Sequence, residues 1–494
     1  MPHARTVLRT AVLFSLALLA ASCSSSRYGE RSASAVVHLQ SAIDSIVTDS
    51  LFVPARAALK VVSLRTGEVL YDRDSRLLFH PASNMKLITT AAALKTLGKD
   101  FSVHTSVYGT LSADGTVTGD LVIAGRGDPD LTMGDLESLA DTLRARGVRR
   151  IAGDLVADVA YFDSLWWGYC WMYDDDPASY QPFLTPLSVE KNCVEVVVTP
   201  ASRPGAPPTV ELVPKTSFLA VLNTARTVSP TDTETVYADR LWRERLNVIT
   251  VRGDIRTTSK PQRYQLNVWD PGRYAALLFL DALKSRGIDL EGSVRLSHRA
   301  ASMPPLLADH AQGLDSLMVN LNKVSDNLSA ENLLRIVAAQ TLGTTGSAEA
   351  GIWVAHRVLQ SFGVDSSSYA MVDGSGLSHC NLVYPELYIR LLTAMFRDTV
   401  NFPLFYASLP IAGVDGTISS RMKGTPAENN VHAKTGSING VSTLSGYVRT
   451  SDGEPLAFSM MMQNFITATR AYRLAQDRIC ELLARFSRGG VAGR

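Results

Sequence analysis

Ser83 and Lys86 stand three residues apart at the predicted start of a helix, behind His80-Pro81-Ala82. Residues three apart on a helix share a face, so this hydroxyl and this amine come within reach of each other. A hydroxyl is a poor nucleophile until a base takes its proton, and a neutral Lys can be that base. The helix N-terminus adds partial positive charge where an oxyanion would form. Ser and Lys are common residues, and the spacing alone fits a capping Ser beside a solvated Lys equally well.

Two further runs suit the same chemistry. Ser325-Asp326-Asn327 precedes the helical run Leu328 to Arg335. A loop Ser beside a Ser–Lys pair can relay a proton to a leaving amine, and an Asn there can hydrogen-bond both the Lys and a substrate amide. The tripeptide also suits a helix N-cap, a role compatible with catalysis. Lys434-Thr435-Gly436-Ser437 ends a predicted strand, Val431-His432-Ala433. A strand-end cation and hydroxyl suit a carboxylate, and the glycine lets a ligand backbone lie along the strand edge. The Ser437 N–H is the expected second oxyanion donor, beside that of Ser83.

These residues need a frame. Residues 35–48 space apolar side chains three and four apart and predict an amphipathic helix. Ala57 to Val62 and Glu68 to Tyr71 flank the turn Arg65-Thr66-Gly67 and predict a β-hairpin. The helix opened near Ser83 runs to Gly98, and short strands with turn signals follow from about residue 100. Residues 195–270 are strand-like, and helical texture returns at Tyr274 to Gly287 and from Leu314 to Leu359. The last segment predicts strands at 431–434, 442–449 and 455–463 and a closing helix over 467–486. The simplest architecture pairs the first hairpin with the last three strands in one antiparallel sheet, packs the early and late helices on it, and treats the middle as an insertion.

Composition removes other classes. The 494 residues are 46% hydrophobic and 19% charged, a globular mixture too long for one ordinary core. Forty-eight Lys plus Arg against 47 Asp plus Glu give a net charge of +1, which argues against a nucleic-acid partner. The five cysteines form no Cys-x-x-Cys pair, and no metal site is expected. Residues 1–23 read as a secretory signal: His3, Arg5 and Arg9, then an apolar run from Ala11 to Ala21, too short for a membrane helix. Ala20-Ala21-Ser22-Cys23 resembles a bacterial lipobox with Ala20 in place of the usual large aliphatic residue, so a lipid anchor on Cys23 and free export both stay open. In an oxidising compartment, Cys170 and Cys193 are close enough in sequence to be bridged across a hairpin. Cys380 has His379 beside it, but neighbours in an extended chain face opposite ways, so the cysteines are expected to be buried or bridged.

The three runs occur in the order Ser-x-x-Lys, Ser-x-Asn, Lys-Thr-Gly, on a helix start, a loop and a strand end. In this the chain resembles the penicilloyl-serine transferase superfamily. The stretch from Lys86 to Ser325 leaves room for a further domain or two. That insertion is similar to the class C low-molecular-mass penicillin-binding proteins, the D-alanyl-D-alanine carboxypeptidase/endopeptidase (DacB-type) family. Supporting runs are Gly127-Asp128-Pro129, Trp171 to Asp175, Pro186 to Val189, Asp373 to Ser378 and Leu409 to Gly416.

The resemblance implies an α+β fold: a β-lactamase/transpeptidase-like domain (34–98 and 306–488) carrying an inserted domain (99–192 and 269–305) and a nested β-rich domain (193–268). It implies a serine peptidase acting on peptidoglycan stem peptides through an acyl-enzyme on Ser83, inhibited by β-lactams, with no cofactor. Lys86 is the implied base, helped by burial and by the second cation Lys434. Ser325 and Asn327 serve the leaving group, and Lys434 and Thr435 hold the terminal carboxylate. An acidic residue of the insertion, at Asp175 with Tyr180 beside it, is implied to meet the stem-peptide side chain, though a solvated loop carboxylate among Asp174 and Asp176 fits as well. The family run ending at Ser378 is often followed by Arg where this chain has His379. Many relatives carry Gln where this chain has Asn439. Both departures bear on the side-chain pocket. Rival readings are a non-catalytic penicillin-binding sensor, a β-lactamase and a serine esterase.

Overall fold

The turn Arg65-Thr66-Gly67 folds the chain back as expected. In the computed structural model, which describes residues 32–299 and 303–489, the strands Arg56–Ser63 and Val69–Arg73 pair antiparallel about Gly67. The expected signal residues 1–23, Cys23 among them, lie outside the described residues.

The chain divides into two compact units. The first holds the described residues up to Phe79, Tyr384–Arg397, and the residues from Leu409 onward. Its centre is a five-stranded antiparallel sheet in the spatial order His432–Ile438, Val441–Arg449, Pro455–Gln463, Arg56–Ser63, Val69–Arg73. This is the expected pairing of the first hairpin with the last three strands. Pro455–Gln463 reads as an almost unbroken apolar run because both of its faces are covered. Leu59 and Val61 point to a core shared with the helix at residues 32–47 and the helix Thr469–Arg485. Lys60, between them in sequence, points the other way and reaches Glu386 of the helix Pro385–Arg397.

The second unit holds His80–Val383 and Asp398–Ser408. Here the buried helix Met85–Leu97 packs among Leu314–Lys323, Asn327–Leu342 and Ala348–Ser361. The rest is β-rich. A mixed five-stranded sheet runs in the order Val294–Ser297, Leu155–Asp158, Leu121–Gly125, Ser102–Tyr108, Leu306–Gly313, and the helices Met133–Ala145 and Pro271–Ser285 share its core. Smaller sheets fill residues 193–267.

One covalent expectation is corrected. Cys170 is bonded to Cys380, not to Cys193. Cys193 opens the strand Cys193–Thr199 and is buried as a free thiol, as is Cys480. Trp171, next to Cys170, donates from Nε1 to Asp373 Oδ2 at 3.0 Å, which draws this loop to the segment carrying Cys380.

Candidate active site

Ser83 and Lys86 sit where a single 3₁₀ turn, Ala82–Asn84, passes into the helix Met85–Leu97. Every residue from Met85 to Leu94 is buried, polar ones included, so this is a central helix with no solvent face. Lys86 is therefore enclosed, and its ammonium is met by oxygen atoms from three segments. Nζ donates to Ser83 Oγ at 3.0 Å, to Asn327 Oδ1 at 2.5 Å and to the Ser375 carbonyl at 2.8 Å. Burial pulls the Lys86 ammonium down to about 8, against the opposing fields of Asp326, Asp373 and Glu331. The lowering rests on burial, with carboxylates as the charged neighbours.

Three acceptors satisfy an ammonium, which has three N–H groups. After one proton is lost, the amine keeps two donors for Asn327 and Ser375 and turns a lone pair to the Ser83 hydroxyl. The arrangement can take the proton of Ser83 without losing its anchors.

Asn327 is the first residue of the helix Asn327–Leu342. Asp326 caps that helix, its Oδ1 accepting from Ser329 N and Ser329 Oγ at 2.6 Å each. The cap falls on Asp326 alone, which leaves Ser325 and Asn327 for other work. Ser325 has φ 67°, a left-handed conformation that a residue with a Cβ seldom adopts.

Sequence reasoning gave the Asp373 to Ser378 run no role, and the structure supplies one. The Asp373 carboxylate accepts from Gly376 N at 2.8 Å, Ser378 N at 2.7 Å and Asn381 Nδ2 at 2.7 Å, besides Trp171. Glu331 Oε1 accepts from Gly374 N and Ser375 N at 2.9 Å each. These two buried carboxylates fold the run into a rigid loop that aims the Ser375 carbonyl at Lys86. Gly376, at φ 85°, passes so near Ala82 that a Cβ would lie 1.8 Å from its carbonyl oxygen. The signal was an Asp followed by closely spaced Gly and Ser, a loop held by its own backbone N–H groups.

The three adjacent aspartates separate cleanly. Asp174 is exposed. Asp176 is buried against the fully buried Arg240, which also donates to Asn267 Oδ1 at 2.9 Å. Asp175 Oδ1 accepts from Tyr180 Oη at 2.7 Å, and the Tyr180 carbonyl accepts from Asn327 Nδ2 at 2.7 Å. Asp175 is thus two hydrogen bonds from Asn327. Burial, reinforced by Asp175, pushes the Tyr180 phenol up to about 12. His379 is exposed in the same unit, its ring 6.0 Å from that of His80.

Lys434, Thr435, Gly436, Ser437 and Asn439 belong to the other unit. The expected strand end at Lys434 is corrected: the strand continues through Lys-Thr-Gly to Ile438, because the whole of His432–Ile438 pairs with Val441–Arg449. Lys434 is fully buried and its Nζ donates to the Thr435 carbonyl at 3.0 Å. Thr435 Oγ1 donates to Thr417 Oγ1 at 2.8 Å. Ser437 and Asn439 are exposed, Asn439 at the turn into the next strand.

A sequence model of the D-Ala-D-Ala carboxypeptidase 3 (S13) family matches residues 39–486. The chain belongs to that family. A D-alanyl-D-alanine carboxypeptidase of Actinomadura sp. (strain R39) is 36% identical over 478 residues, covering 93% of this chain and 86% of that one. Penicillin-binding protein 4 (dacB) of Haemophilus influenzae is similar in structure, with a TM-score of 0.79 at 27% identity, covering 89% of this chain and 97% of that one. The same Haemophilus protein in complex with a β-lactam gives a TM-score of 0.71 at 26% identity, with the same coverage of both chains. The S13 family comprises serine-type D-Ala-D-Ala carboxypeptidases, and the α+β fold with additional sheets is the one it shares with the Haemophilus protein.

Proposed function

We propose that this enzyme cleaves peptidoglycan stem peptides through an acyl-enzyme on Ser83, acting as a D-Ala-D-Ala carboxypeptidase and as an endopeptidase on D-Ala–diaminopimelate cross-links. The observation that carries the reading is the buried Lys86, lowered to about 8 and held 3.0 Å from Ser83 Oγ. Ser83 Oγ attacks the carbonyl of the penultimate D-alanine while its proton passes to Lys86. The oxyanion is met by the N–H groups of Ser83 and Ser437. As the C–N bond breaks, the proton moves from Lys86 through Ser325 to the leaving amine, and Asn327 holds both Lys86 and the substrate amide. Lys434 and Thr435 bind the terminal carboxylate, of a stem peptide or of a β-lactam, with Gly436 beside it. Water then attacks the ester and returns the Ser83 hydroxyl. Asp175, with Tyr180, meets the free end of the diaminopimelate side chain, and His379 and Asn439 line its pocket.

The same reading includes export across the membrane, to a place free in the periplasm or held to the envelope by a lipid on Cys23. The signal-like residues 1–23 and the Cys170–Cys380 disulfide support a working place in an oxidising cell envelope. Wild type and Ser83→Ala are compared by labelling with a fluorescent penicillin, followed by D-alanine release from a pentapeptide and from a cross-linked muropeptide. Labelling lost in the variant, with product from both substrates, is the expected result. Labelling without product favours a penicillin-binding sensor, and absence of labelling in the wild type overturns the assignment of Ser83.

A further inference from the structure

Glu190, Lys191 and Asn192 have φ of 51°, 58° and 55°, three successive residues in the left-handed region. A run like this persists only where its surroundings hold it, and each side chain here is tied down. Glu190 Oε1 accepts from Met133 N at 2.7 Å. Asn192 Nδ2 donates to the Phe183 carbonyl at 2.8 Å and to Ser188 Oγ at 3.1 Å. Between them Lys191 Nζ lies 2.5 Å from Asp130 Oδ1 and 3.5 Å from Asp326 Oδ2. Asn320 Nδ2 donates to the same Asp130 oxygen at 2.5 Å. Asp130 is presented by the Gly127-Asp128-Pro129 turn: Asp128 Oδ1 accepts from Asp130 N at 2.9 Å, and Gly127 N donates to the Pro186 carbonyl at 2.8 Å. The runs Gly127–Pro129 and Pro186–Val189, which the reaction itself does not use, together build the seat of Lys191.

We infer that Lys191 is a positioning residue for acylation: bound between Asp130 and Asp326, it fixes the Ser325–Asn327 turn and offsets the Asp326 charge at Lys86. This inference rests on Lys86 being the base. Of the three carboxylates whose charge reaches Lys86, Glu331 is paired with Arg335 at 3.1 Å and Asp373 is enclosed by N–H donors. Asp326 has Lys191 as its cation. Burial works against the Lys191 ammonium, but Asp326 and Asp130 more than offset it and raise the group, so the charge is kept. The neighbouring Cys193 thiol is pushed up to about 12 by burial and stays neutral.

The test follows acylation of the full chain by a fluorescent penicillin, in stopped flow, from about pH 6 to pH 10. In Lys191→Gln the midpoint of the rate increase moves up by about one pH unit, and the rate at pH 7 falls about tenfold, the factor that one unit imposes on the free amine. Lys191→Arg keeps the wild-type midpoint. Adding Asp326→Asn to Lys191→Gln returns it, since Asn still caps the helix but carries no charge. Asp326→Asn alone lowers the midpoint below that of the double variant, and this difference, which isolates the charge of Lys191, decides the matter if Lys191→Gln does not fold. An unmoved midpoint in Lys191→Gln, or a double variant that stays with the single one, overturns the inference. A wild type that is not acylated at any pH overturns the reading of Lys86 beneath it.

Discussion

The Ser375 carbonyl accepts a hydrogen bond of 2.8 Å from Lys86 Nζ, although 289 residues separate the two in sequence. Lys86 gains from it a fixed direction, independent of substrate, and the loop that supplies it is itself held by Glu331 and Asp373. The consequences can be checked one at a time.

Lys86→Met keeps the length of the side chain and removes the base. Acylation by penicillin is expected to fall by about 100- to 10,000-fold, the usual worth of a positioned base. Single-turnover labelling measures this, with circular dichroism as the fold control. A rate within tenfold of wild type would place the base elsewhere.

The acylation rate is expected to rise with pH through a midpoint of about 8, because only the neutral amine takes the proton from Ser83 and burial lowers Lys86 to about that value. A midpoint near the ordinary Lys value of about 10.4 would contradict the enclosure described. The measurement is kcat/KM for a D-Ala-D-Ala peptide between about pH 6 and pH 10.

Gly376→Ala combines two faults, a φ of 85° and a Cβ placed 1.8 Å from the Ala82 carbonyl oxygen. The expected cost is at least about 2 kcal/mol of stability. Acylation should fall too, since Ala82 precedes the nucleophile. Urea unfolding and penicillin labelling report the two effects separately.

Asp373→Ala leaves several buried N–H groups without an acceptor, among them those of Gly376, Ser378 and Trp171. A loss of about 3 kcal/mol is expected. Trp171→Phe removes one donor and keeps the ring, and should cost about 1 kcal/mol. Equal midpoints in thermal unfolding for the two variants would contradict this account.

Tyr180→Phe removes the phenol that donates to Asp175 and leaves the backbone carbonyl that holds Asn327. KM for diaminopimelate-containing stem peptides is expected to rise about tenfold, the worth of one hydrogen bond to a charged group, with penicillin acylation unchanged within a factor of two. Loss of both activities together would mean that Tyr180 acts through Asn327.

The legible parts of this chain are those governed by local periodicity or by a short motif. The turn at Gly67 and the apolar runs of the last three strands lead directly to the five-stranded sheet. The Ser83–Lys86 spacing places the two side chains in hydrogen-bond contact. What stayed hidden depends on long-range partners. Cys170 has Cys193 nearer in sequence, yet the Trp171–Asp373 bond takes it to Cys380. Three consecutive aspartates at 174–176 carry no mark of which is exposed, which meets Tyr180 and which meets Arg240. The continuation of the Lys434 strand to Ile438 is set by its partner strand, which a local reading does not see.

The central sheet also dictates a timetable. Arg56–Ser63 is made well before its long neighbour, Pro455–Gln463. Until then one hydrogen-bonding edge of an apolar strand has no native partner, and the second unit must be made in the interval. Completion of the first unit is therefore slowed by the closure of a very long loop. A chain released before Pro455 would keep that sticky edge open, which makes late truncations of this protein candidates for aggregation rather than for partial activity.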